Sequence, residues 1–172
     1  YNDSSIIDDF KGEFPASAIG TSWQLITDEV MGGVSAGTMT RELIEGRPAI
    51  RMRGDVRLEN NGGFVQVALD LSQKSEDFDA SAWAGIELDA YGNGQEYAVH
   101  LRTSDLTRPW QSFRHSFTAA HSWQTIQLPF IGFHSHRTEM KLDLRRLRRL
   151  GAVAIGRAFT ADLSIGGLRY FR

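Results

Sequence analysis

The sequence predicts an all-β jelly-roll sandwich. Three observations lead there: hydrophobic alternation with a period of two over most of the chain, turn residues spaced between the alternating runs, and a near-absence of long helical periodicity. Met39–Leu43 and Ala49–Leu58 alternate around the turn Glu45-Gly46-Arg47-Pro48. In the second run Ile50, Met52 and Val56 share a side, while Arg51, Arg53 and Arg57 fall out of that row, the pattern of a half-buried antiparallel strand. Further runs are Gly63–Leu71, Gly85–Tyr91, Glu96–Thr103, Gln111–Phe117, Trp123–Leu128, Ala152–Ile155 and Asp162–Phe171. Tyr91-Gly92-Asn93-Gly94, Arg108-Pro109 and Gly166-Gly167 punctuate them as turns. About ten short strands at such spacing fit Greek-key or jelly-roll wiring.

One segment departs from this pattern. Leu142, Leu144, Leu147 and Leu150 are interleaved with Arg145, Arg146, Arg148 and Arg149. Their spacing predicts a short amphipathic helix near the C-terminal end, with Asp143 at its start and Gly151 as its stop. Ser72–Ser81 is polar and acidic and is expected to be a long loop. There is no repeat or linker, so the 172 residues are expected to form a single domain, 1–172, with 41% hydrophobic content to fill one core.

Bulk chemistry removes several function classes. The 19 Lys+Arg and 21 Asp+Glu leave a net charge of −2, too balanced for nucleic-acid binding through net charge. With no cysteine there is no disulfide framework, thiolate metal site or cysteine nucleophile. No apolar run reaches the length of a transmembrane helix. Tyr1-Asn2-Asp3-Ser4-Ser5 lacks the basic and apolar regions of a signal peptide, and the absent initiator Met fits a trimmed or processed chain. A soluble, cytoplasmic protein is the expectation.

Three stretches carry a family resemblance. The first, Trp23 to Ser35, contains Asp28-Glu29-Val30-Met31-Gly32-Gly33-Val34-Ser35. The second is Gly54-Asp55-Val56-Arg57-Leu58-Glu59-Asn60-Asn61-Gly62-Gly63-Phe64. The third runs from Trp123 to Pro129-Phe130, with Leu128 where the family has Ile. Gly85-Ile86-Glu87-Leu88, Gly92-x-Gly94-x-x-Tyr97 and Leu101-Arg102 match the family's middle strands. In this order, from about Asp8 to Phe171, they resemble the complex I intermediate-associated protein family. The resemblance implies a galactose-binding-like sandwich. Mitochondrial relatives act as assembly chaperones of respiratory complex I, and bacterial members share the domain.

Candidate sites follow from residue chemistry. Asp28 and Glu29, beside paired glycines and Ser35, have the donors and acceptors for a hard cation, a ligand or a partner edge. The same loop is also explained structurally, with Asp28 accepting backbone N–H groups and Met31 filling a gap. Asn60 and Asn61 suit sugar hydroxyls, or a type I′ turn through Asn61-Gly62. His100 and Arg102 fall on one face of their strand with Tyr97 opposite, and Trp110 at a nearby loop end completes a candidate patch for a sugar ring or protein anchor. His134-Ser135-His136 places two imidazoles on one side, short of a zinc ligand set, so neither metal nor cofactor is expected. The Arg145–Arg149 run is expected to be a solvated face. No nucleophile, phosphate-loop or dinucleotide motif occurs. The leading expectation is a non-catalytic protein-binding or assembly module whose partner is a subunit or assembly intermediate. A carbohydrate-binding module is the first alternative and an uncharacterised hydrolase the second.

Overall fold

The structure, a computed structural model, describes residues 5–28, 32–59, 63–73, 76–108 and 111–172. Twelve strands are present among them: β1 (Ile6–Asp8), β2 (Gln24–Thr27), β3 (Ala36–Ile44), β4 (Arg47–Val56), β5 (Phe64–Asp70), β6 (Gly85–Tyr91), β7 (Glu96–Thr103), β8 (Ser112–Thr118), β9 (Gln124–Pro129), β10 (His134–His136), β11 (Leu147–Ile155) and β12 (Phe159–Phe171). They form two antiparallel six-stranded sheets. The first has the order β3-β4-β12-β6-β9, with β1 added along β12; the second has the order β10-β8-β7-β11-β5-β2. The chain changes sheet repeatedly, so neighbouring strands are often distant in sequence. Alternate residues of both sheets fill one core between them, including Trp23, Ile50, Met52, Val67, Leu88, Val99, Leu101, Phe113, Leu150 and Leu163.

The expected all-β sandwich is the observed class, but the short helix is not there. Leu144–Arg146 is a single 3-10 turn capped by Asp143, and Leu147–Ile155 is strand β11. The leucines misled because of a β-bulge. Leu147 pairs with Thr103 and Arg149 with Arg102, a register slip that turns both Leu147 and Leu150 into the core. A three-residue apolar spacing therefore arises on a strand and imitates a helical face.

Two expected turns also differ. Gly166-Gly167 lies inside the 13-residue β12, at a register shift between Ile165 and Gly167. A Cβ at Gly166 would come within 2.8 Å of both Arg47 and Trp123, and one at Gly167 within 2.5 Å of Asp89, so the glycines serve close packing of side chains. The β3–β4 turn narrows to Glu45-Gly46, both at positive φ, and Arg47 and Pro48 already belong to β4. Between β5 and β6 the described residues, 71–73 and 76–84, belong to no strand element. Phe78 there bridges to Leu147 and stacks on Tyr170 at 4.9 Å, beside Trp83.

Trp23, the aromatic of the first motif, is a core residue. It stacks on Phe10, and its indole N–H donates to the buried Asp8 carboxylate at 2.7 Å. Burial raises the Asp8 pKa, partly offset by the bonds from Trp23 and from the Phe10 N–H. Trp123, the aromatic of the third motif, donates to the Ile44 carbonyl at 2.9 Å and lies under the Arg47 guanidinium.

Candidate functional site

Two places gather the sequence-predicted site residues. The first is the junction of the two glycine-rich motifs. Asp28 follows β2 directly, while Ser35 precedes β3. Both are fully buried. One Asp28 carboxylate oxygen accepts the Ser35 N–H at 2.9 Å. The other accepts the Ser35 hydroxyl, the Gly63 N–H and, at 3.3 Å, the Phe64 N–H. The Ser35 hydroxyl oxygen also accepts the Arg57 N–H at 2.8 Å. Burial alone would push the Asp28 carboxyl up, but the bonds from Ser35, Gly63 and Phe64 outweigh it and hold its pKa below the ordinary value.

Glycine is required at two points of this junction. A Cβ on Gly33 would meet the Asp28 carboxyl carbon at 2.4 Å, and Gly63 stands at φ +133°. The carboxylate thus ties the loop after β2 to the loop before β5. The Asp28 carboxylate faces the fold, and the exposed side chains beside the junction include Val34 and Leu58 and the ion pair of Arg57 with Glu59. Glu29, Asn60 and Asn61 lie outside the described residues, as do Met31 and the Asn61-Gly62 turn.

The second place is the outer face of the β10-β8-β7-β11-β5-β2 sheet. Cross-strand register lines up a row across all six strands: His134, Arg114, His100, Gly151, Ala68, Gln24. Above it Arg102 stands opposite Arg149, which faces Asp70, and Ser112 pairs with His136. Below it run Ser116, Ala98, Val153, Gln66 and Ile26. The middle of this face is made of small residues: Ala68, Val153 and Ala98 point outward yet are only 1%, 1% and 6% exposed. Longer neighbours close over them. Gln66 lies across Gly151 so closely that a Cβ there would sit 2.4 Å from its amide oxygen.

The predicted pair His100 and Arg102 is therefore on this face, and Tyr97 is turned into the core as expected. The Tyr97 hydroxyl donates to Asn93 Oδ1 at 2.6 Å and accepts the Asp162 N–H at 2.9 Å. Trp110 lies outside the described residues, so the three-residue patch is seen only in its His100 and Arg102. Arg102 Nη1 donates to the Arg108 carbonyl at 2.9 Å and also to the Gln111 carbonyl. Arg114 Nε donates to the Ser112 hydroxyl at 2.9 Å. Arg149 donates to Gln24 Oε1 at 3.1 Å and stands 3.9 Å from Asp70. Nε2 of His100 is buried without a hydrogen-bond partner. Burial, with the Arg114 charge and His136 beside it, drives the His100 pKa down to about 3, so the ring is neutral near neutral pH. Burial likewise lowers the pKa of Arg114 and Arg102, with repulsion from Arg137 and Arg149 respectively.

Arg114, Arg149, His136 and Gln66 join this face without having been picked out as one site. His136 and Arg149 were visible as members of local motifs, but their convergence depends on which strands pair. Among the described residues, no three His, Asp or Glu side chains gather as a metal site. No described helix is long and apolar enough to cross a membrane. Two cavities of about 340 Å³ flank the sheets, the second touching this patch through Gln24 and Asp70. One runs along β1 and β12 beside Asp8, Arg47 and Arg169; the other is at the sheet edge by Thr21, Gln24, Asp70 and Gln73.

This architecture is shared with known structures. A family 11 carbohydrate-binding module from Clostridium thermocellum, in complex with a β-1,3-1,4-mixed-linked tetrasaccharide, superposes with a TM-score of 0.76 at 16% identity, covering 97% of this chain and 94% of that one. The family 11 module of the Clostridium thermocellum cellulosomal cellulase Lic26A-Cel5E gives 0.74 at 15% identity, over 96% and 92% of the two chains. The family 30 carbohydrate-binding module of the cellulosomal cellulase Cel9D-Cel44B from the same organism gives 0.58 at 16% identity, over 99% and 94%. At these identities the likeness is one of fold. No curated protein matches the chain significantly. Its family is nevertheless defined: residues 12–165, which span the buried Asp28 junction and both sheets, match Complex I intermediate-associated protein 30 (CIA30), and the chain belongs to that family.

Proposed function

We propose that this chain is a non-catalytic, single-module protein-binding domain that acts in assembly, engaging a subunit or assembly intermediate of the respiratory complex I type. The family match over residues 12–165 is the observation that carries this reading. The arrangement of the second sheet favours it too. Its outer face is a continuous strand surface with half-buried polar side chains in register, suited to an extended contact with another chain. Affinity capture with the purified chain tests it. A protein that co-purifies in stoichiometric amount and re-forms the complex from purified components is the expected result. Failure of every retained protein to re-form it would sink the reading.

A second reading is carbohydrate binding, favoured by the extent of the superposition on family 11 modules. It requires aromatic platforms for sugar rings. Among the described residues, the outer face of the second sheet contributes no Trp or Tyr; on the first sheet Tyr91 and Trp123 pack edge to face at 5.6 Å. A glycan array followed by calorimetry separates the two readings. Saturable binding of a neutral oligosaccharide that is abolished by Trp123→Ala, with the fold intact, would put this reading first.

A further inference from the structure

We propose that the outer face of the second sheet is a docking site for an acidic protein segment, whose side-chain carboxylates seat on Arg114 and Arg149 with His100 between them. This rests on the protein-binding reading and names the partner's chemistry. Register supplies the geometry. Arg114 on β8 is directly opposite His100 on β7, and His100 is opposite Gly151 on β11, two residues from Arg149 on the same face. Two strand spacings separate the backbones of β8 and β11, about 10 Å, and the Arg149 side chain reaches on toward Gln24 and Asp70, so the two cations are spread along a stretch that an extended peptide can follow.

Charge supplies the selection. Among the described residues Arg114 has no carboxylate partner: its hydrogen bond goes to a hydroxyl, and the charge acting on it is that of Arg137. Arg149 faces Arg102 across the strand pair, and its Asp70 contact is long at 3.9 Å. Like charges held opposite one another on a sheet are destabilising, and desolvation adds to the cost. An entering carboxylate relieves both and is recognised by two parallel N–H donors of a guanidinium. His100 lies between Arg114 and Arg149 in the register, its Nε2 buried and without a hydrogen-bond partner beneath the face. The neutral acceptors Ser112 and Gln24 hold Arg114 and Arg149 in place without neutralising them. With no Trp or Tyr platform among the described residues of this face, the carboxylates of a peptide fit better than those of an acidic sugar.

The test is fluorescence anisotropy of a labelled oligoglutamate peptide against the wild-type chain, an Arg114→Gln/Arg149→Gln variant, and Arg51→Gln on the opposite sheet as control. Oligoglutamine, oligogalacturonate and a short single-stranded DNA are run alongside, and circular dichroism verifies that each variant is folded. Oligoglutamate is expected to bind saturably and more weakly as salt rises. The double variant should lose about tenfold or more in affinity while Arg51→Gln loses little. Absence of oligoglutamate binding, equal binding by the double variant, or tighter binding of oligogalacturonate or DNA overturns the proposal. The two readings fail separately. If a purified partner binds wild type and double variant alike, only this face is wrong. If oligogalacturonate alone binds, the protein-binding reading itself gives way to a carbohydrate one.

Discussion

The outer faces of the two sheets are both rich in arginine, and they use it in opposite ways. On the first sheet the guanidiniums meet carboxylates. Arg51 holds Asp162 with two bonds, 2.9 and 2.7 Å, and reaches Glu42 at 3.2 Å, which in turn accepts from Thr40. Asp89, 5% exposed, accepts from Arg47, from Thr125 at 2.6 Å and from two nitrogens of Arg169, which also bonds Glu87. On the second sheet Arg114 and Arg149 are held by a hydroxyl and an amide, and Arg149 stands opposite Arg102. The difference teaches that the same residue type closes one face with internal ion pairs and leaves the other with charge to offer.

The largest effect tests the paired condition at its extreme, the Asp28 junction. Asp28→Ala leaves the Ser35, Gly63 and Phe64 donors without their acceptor and is expected to cost about 3 kcal/mol, a drop in Tm of roughly 6–12 °C. Thermal denaturation followed by circular dichroism measures it; a Tm within a degree of wild type would show that water replaces the carboxylate at no cost.

Acid titration comes next. Burial would raise the Asp89 pKa, yet the bonds from Arg169, Thr125 and Arg47 hold it at about 2 against an ordinary 3.8. A depressed carboxylate stabilises the fold above its unfolded pKa, and that contribution is lost as pH falls through the folded value. The loss therefore falls between about pH 4 and pH 2 and amounts to about 2 kcal/mol. Urea midpoints across that range should fall more steeply for wild type than for Asp89→Asn, which starts lower and flattens; parallel curves would break the comparison. His100, whose pKa is about 3 in the fold, loses stability in the same acid direction, because the unfolded ring takes up its proton at higher pH. His100→Gln removes that part of the slope.

Arginine substitutions compare the faces directly. Arg51→Gln is expected to cost about 1 kcal/mol, since it breaks a bidentate pair. Arg149→Gln is expected to stay within about 0.5 kcal/mol of wild type or to exceed it, because it relieves repulsion. Equal losses at the two positions would erase the distinction. The smallest effect is that of salt. Raising NaCl should weaken the first face and ease the second, so Arg51→Gln and Arg149→Gln should shift in opposite directions by a few tenths of a kcal/mol.

Much of this was legible in the sequence because it is local. Alternation in Ala49–Leu58 and Glu96–Thr103 places Met52 and Val99 inward and Arg53 and His100 outward without knowledge of any partner strand. Leu147 and Leu150 show where locality stops: their spacing serves two periodicities, and the bulge against β7 decides between them. The same holds for Gly166 and Gly167, whose reason lies in Arg47, Trp123 and Asp89, distant in sequence. His100 and Arg102 were legible as neighbours on one strand, whereas Arg114, Arg149 and Gln66 come beside them only through pairing with β8, β11 and β5.

By itself the sequence determined the class of fold, the inward and outward rows of most strands and membership of a recognisable family, because period-two patterning and motif spacing act over a few residues. The tertiary structure alone decided that Asp28 is a buried tie between two motifs, that the leucine–arginine run is a strand, and that arginines meet carboxylates closely on one face and on the other are held mainly by neutral acceptors. Those outcomes depend on register between strands far apart in the chain, and a one-residue slip in register exchanges every side chain's face.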